Sequence, residues 1–192
     1  METAPSDGEV TAASLLDFKC NVITSGTVAK RSAILAVGGF EHQRARAHDF
    51  HLWLRMAKNG AKIGYQKKAL LKYRVHLDSL SGNAVSRVQR EIDVFNRVRD
   101  SIELAPDETA ILERRLAGLE ADLQVESGKS YLLQRDFSNA RKAFAEANRR
   151  RPTLKMTAIS LASIFAPGML LKHFRSRRPD DVMLAGIQAS SR

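Results

Sequence analysis

Asp49 opens an apolar run, DFHLWLRMAKNG, directly after a loop of arginines and histidines that follows Gly38-Gly39-Phe40. A carboxylate at the start of a helix meets unpaired backbone amides, so it can be held firmly while the preceding loop leaves it open to a ligand. Proton acceptance is one use of such a group; a plain helix cap is the other. Further on, YRVHLDSLS carries Arg74, His76, Ser79 and Ser81. The planar fork of an arginine binds phosphate oxygens in pairs, and hydroxyls add short donors. His76 is able to donate to phosphate or to ligate a metal, although Arg74 and His76 also suit a charged strand end. Trp53 is placed either to line a binding site or, with Phe50 and Leu54, to fill a core.

The elements that must position these groups follow from the pattern. Asp49 to Asn59 reads as a helix with Phe50, Trp53, Leu54 and Ala57 on one face and Gly60 as its stop. Before it, β-branched residues from Val22 to Val28 predict a short strand, and Lys30 to Ala36 a helical turn or two ending at Gly38-Gly39. After it, Lys62–Gln66 and Ala69–Val75 predict two more strands. The front of the chain therefore reads as mixed α and β. His51 and His173 read as surface residues, because no spacing ties them to a metal site.

From Ala84 the apolar residues recur at helical spacing with dense charge between them, interrupted at Pro106-Asp107, where Asp107 and Glu108 suit a second helix start. The layout expected is a loose lead-in over 1–14, an α/β part over 15–90, a helical tail over 91–178 and a loose end over 179–192. Within the tail, over 121–152, Gly128, Tyr131, Ala140, Phe144, Ala147 and Pro152 resemble the tetratricopeptide repeat, in which small residues and aromatics alternate where two antiparallel helices touch. Gln124 and Ser127 stand where that pattern usually has Trp and Leu.

The last part, 149–178, sets an uncharged stretch from Met156 to Leu171, broken at Pro167-Gly168, between two basic clusters. It is too short and too polar for a membrane span. It packs on the hairpin as a capping helix, or lies on an anionic membrane surface, and the two are compatible in part.

The 192 residues allow one domain with an extension, and 44% apolar and 27% charged residues describe a folded chain. A net charge of +10 calls for an anionic partner. Nucleic acid ranks last as that partner, since zinc spacings, RRM-like aromatics and basic heptad helices are all missing. Cys20 is the single cysteine, which excludes an internal disulfide and fits a reducing compartment. The opening residues lack a basic n-region, so the expected location is cytoplasmic or peripheral on the inner face of the cytoplasmic membrane.

Together, ITSGTVAKRSAILAVGGFE, HDFHLWLRMAKNGAKIGYQKKALLKYR and YRVHLDSLS resemble the acceptor-side half of a family 2 glycosyltransferase of the GT-A fold. The resemblance runs from about Asn21 to Ser81. It implies a partial GT-A fold, an inverting transfer of sugar from a nucleotide-sugar to a glycan or cell-envelope acceptor, and Asp49 as the catalytic base. It also implies Arg74, His76, Ser79 and Ser81 as the segment that closes over the donor diphosphate. In this family the residue before the base is usually Glu, whereas here it is His48. The donor-binding half and its Asp-x-Asp motif, which would bring Mg or Mn to the diphosphate, are not found in the sequence. Expected explanations are a start internal to a longer frame, a gene remnant, or a separate chain that supplies the donor half. Homodimerisation is a further expected association, because a half domain leaves apolar surface uncovered. The alternative expectation is a non-catalytic helical module that binds a protein or an anionic membrane.

Overall fold

A computed structural model of the chain describes residues 9–20, 22–40, 48–65 and 84–176. Eight α-helices occur among them: α1 Ala12–Leu16, α2 Arg31–Ala36, α3 His48–Lys58, α4 Ala84–Ser101, α5 Pro106–Leu133, α6 Phe137–Arg150, α7 Leu154–Phe165 and α8 Pro167–Arg175. The described residues contain no strand, so the expected α/β front part and the partial GT-A fold are corrected to an all-helical architecture.

The physical reason is visible at Val22 to Val28. Its β-branched residues favour a strand only where a neighbour completes the ladder. Here Thr24–Gly26 forms a 3-10 turn instead, and the Thr27 hydroxyl donates to the Ile23 carbonyl at 2.7 Å. Local side-chain bonding of this kind competes with the ladder. Residues 62–65, the described part of the second expected strand, have no regular structure. The third expected strand, Ala69–Val75, lies outside the described residues.

Two compact units are present, Met1–Arg74 with Arg90–Leu116, and Val75–Gln89 with Ala117–Arg192. In the first, α3 packs on α1 and α2. Leu15, Leu16, Leu52, Leu54, Phe95, Val98 and Leu112 are fully buried. Val10 and Ala12 are buried too, so the lead-in expected over 1–14 already contributes to this core at residue 10. The rings of Phe18, Phe50 and Phe95 form a triangle with centroids 5.4 to 6.1 Å apart, and the Arg115 guanidinium lies 5.2 Å from the Phe18 centroid. Aromatic contacts of this geometry add to simple burial. The start of α5 is closed by Glu108, whose carboxylate accepts from the Ala105 N–H at 2.9 Å and pairs with Lys58 at 2.5 Å.

In the second unit α5 turns back into α6. The reversal uses Arg135 in the left-handed region (φ 62), and Asp136 caps α6 by accepting from the Asn139 N–H at 3.1 Å. The turn makes the two helices antiparallel, with Gly128 of α5 against the Phe144 ring of α6 and Arg150 against Glu120. Ala140, Phe144 and Ala147 are buried with Leu132, and Met156 of α7 and Leu170 and Leu171 of α8 close the same core.

Candidate functional site at the start of α3

Helix α3 is fixed by its inner face. Leu52, Trp53, Leu54 and Met56 are buried, and Gly60, at φ 78, ends the helix with its N–H donating to the Ala57 carbonyl at 3.1 Å. A left-handed residue there suits glycine because no Cβ meets the preceding carbonyl. His51, expected at the surface, is instead buried, with Nε2 2.9 Å from the Ser101 hydroxyl. Trp53 is also buried, which makes it part of the core; its indole N–H has no acceptor among the described residues.

Asp49 lies in the first turn of α3 and is half-buried. Its Oδ1 accepts from the Phe50 N–H at 2.8 Å and its Oδ2 accepts from the Thr24 hydroxyl at 3.0 Å. None of the described basic side chains forms an ion pair with it. Both hydrogen bonds leave a lone pair free on each carboxylate oxygen, so the group retains room for a further donor.

Arg55, two turns along the same helix, reaches back to the glycine turn. Its guanidinium donates to the Val37 carbonyl and, at 2.6 Å, to the Gly39 carbonyl. Gly38 and Gly39 are both left-handed, at φ 81 and φ 70, and their N–H groups close α2 on Leu35 and Ile34. The glycine pair is thus the left-handed end of α2, with the Gly39 carbonyl and that of the preceding Val37 turned to a charged donor. Thr24 and Arg55 are the two contacts that sequence reasoning missed. The signal for Arg55 was its place at the end of Leu-Trp-Leu-Arg; nothing in the sequence marks Thr24.

Through these bonds Thr24, the Gly38-Gly39 turn and the first two turns of α3 are brought together. Arg74, His76, Ser79 and Ser81 lie outside the described residues, and so does the side chain of His48. Among the described residues no group of three His, Cys, Asp or Glu side chains is placed to hold a metal ion. No described helix is long and apolar enough to cross a membrane. No family model, no curated protein and no solved structure matches the chain.

Proposed function

We propose that the chain serves the acceptor side of an inverting sugar transfer from a nucleotide-sugar to a glycan. In this reading Asp49 takes the proton of the acceptor hydroxyl as the oxygen bonds to the sugar carbon and the nucleoside diphosphate leaves. One observation carries it: a half-buried carboxylate, steadied by the Thr24 hydroxyl, with no described cation paired to it. Asp17, by contrast, is paired with Lys19 and Arg114.

Arg74, His76, Ser79 and Ser81 complete the proposal as the segment meeting the donor diphosphate, since a guanidinium and hydroxyls complement phosphate oxygens. A divalent metal, if used, would offset the charge on the leaving diphosphate. The described residues offer no cluster to hold it, so it would enter with the donor-binding half. The exposed apolar side chains of Val28 before α2, Leu35 in it and Phe40 after it are consistent with a surface that meets such a half. The reaction then takes place on the cytoplasmic side, where nucleotide-sugars are available.

The test is release of nucleoside diphosphate from nucleotide-sugars by the chain together with its donor-binding half, with a glycan acceptor present. Asp49→Asn keeps the helix start and removes the base, so turnover falls by at least about a hundredfold with the helical circular dichroism unchanged. Undiminished turnover in that variant would refute the assignment.

A further inference from the structure

The second unit carries a surface of a different kind. Helix α7 buries Met156 and Ser163 against the hairpin, with Ile159 and Ala162 partly buried beside them. At one hundred degrees per residue, Leu154, Leu161 and Phe165 fall on the opposite side of the helix. They are 93%, 51% and 81% exposed, and Met169, at the start of α8, is 72% exposed. Helix α7 is thus apolar on both faces, and only one face has a partner among the described residues.

The charge in this part of the sequence has one sign. From Arg149 to Pro179 the sequence has no Asp or Glu. Arg149, Arg150 and Arg151 are already engaged by Glu146, Glu120 and Asp122. Lys155, Lys172 and Arg175 are exposed, and none of them has an acidic partner among the described residues.

We propose that the outer face of α7, continued by Met169, is a docking surface for an anionic lipid bilayer. The helix lies in the plane of the headgroups with Leu154, Leu161 and Phe165 among the upper acyl carbons. Lys155, Lys172 and Arg175 meet the phosphates. A helix of 12 residues is far too short to cross the hydrocarbon, so it rests on one leaflet. A second copy of the chain is the less favoured occupant. A symmetric contact through this face would add the positive charge of one copy to that of the other, whereas anionic lipid neutralises it. This inference goes beyond the sugar-transfer reading and does not depend on it.

The experiment is co-sedimentation of the full chain with vesicles of phosphatidylcholine alone and of phosphatidylcholine with about one third phosphatidylserine. The chain is expected to bind the second and not the first, and raising the salt from about 0.1 M to about 0.5 M releases most of it. Phe165→Ser with Leu161→Ser lowers the partition coefficient about tenfold or more, and Lys155→Glu with Lys172→Glu lowers it to a similar extent. All four positions are exposed, so helical content and melting temperature stay close to those of the parent chain, and each loss is read on a folded protein. Three outcomes overturn the proposal. They are no binding to the anionic vesicles, a stable dimer in solution that the Phe165→Ser and Leu161→Ser pair dissolves, or binding that appears only after residues 180–192 are deleted, which would make that segment the natural cover of the face.

Discussion

A Cβ on Gly128 would stand 2.7 Å from the Phe144 ring, which is fully buried between α5 and α6. Two effects of a Gly128→Ala change oppose each other. Alanine favours a helix over glycine by about 1 kcal/mol, while forcing a methyl group into a filled core costs about 1–3 kcal/mol. Overpacking wins because the obstacle is a ring with no free side to move into. Gly128→Ala therefore destabilises the second unit by about 1–2 kcal/mol, measured as a lower urea midpoint of the helical signal. A Phe144→Leu background relieves the clash and reverses the sign.

Arg135 makes the converse case. It sits at φ 62 in the turn between α5 and α6, where a side chain costs about 1 kcal/mol. Glycine removes that strain but has more freedom to lose on folding. Arg135→Gly is expected to be neutral or stabilising by up to about 1 kcal/mol in the same urea titration. A clear loss of stability would show that the arginine side chain contributes more than its backbone costs.

Arg55 joins the glycine turn to α3 through two carbonyls. Charge-assisted bonds to half-buried carbonyls contribute about 1.5–3 kcal/mol when the geometry is good. Arg55→Lys keeps the charge but loses the fork, so it is expected to recover less than half of the loss seen in Arg55→Ala. Thermal melts of the two variants measure this. Full rescue by lysine would mean that charge alone holds the turn.

Glu108 accepts from the Ala105 N–H and from Lys58 at once. Closing a helix start is worth about 1 kcal/mol, whereas a partly exposed ion pair is worth less than that. Glu108→Gln, which keeps an acceptor for the amide, is therefore expected to cost little. Glu108→Ala costs about 1–2 kcal/mol, and Lys58→Ala under about 1 kcal/mol. Denaturant midpoints of the three variants give the order.

Glu146 is held well below the usual carboxylate range, from 4.5 to about 2, first by its hydrogen bonds to Arg149 and then by those to Arg150. A carboxyl whose folded value is depressed binds fewer protons folded than unfolded, so its contribution is complete above 4.5 and is lost as the pH falls toward about 2. Asp136 shifts the same way, chiefly through the Asn139 amide, and adds to the loss. Melting temperatures taken from about pH 6 to about pH 2 should fall across this window, and Glu146→Gln should flatten the fall. High salt should flatten it too, because the pairs are exposed.

Helix content was legible wherever the apolar period was complete on its own. The residues 49 to 59, the run from Ala84 and the stop at Gly60 carry local signals: a period, a first-turn carboxylate and a left-handed glycine. The close approach of Gly128 to Phe144 is likewise a matter of spacing, since residues on two antiparallel helices meet at offsets set by helix rise and turn length. The strand expected over Val22 to Val28 failed because a strand is not a local object. Val22 to Val28 has the residue types, but a ladder needs a second segment from elsewhere in the chain, and the Thr27 hydroxyl bonds instead to the Ile23 carbonyl four residues away.

By itself, then, the sequence determined the helices after Ala84, the helix start at Asp107 and Glu108, the cationic balance and the types of group available at Asp49 and its neighbours. The tertiary structure alone decided that His51 is inside, that Thr24 meets Asp49, and that Arg55 reaches back to Gly39. It also decided that one apolar face of α7 is covered and the other is not. The reason is distance along the chain. Propensities, caps and periods act over a few residues and can be read from order, whereas burial and pairing depend on which remote segments arrive together.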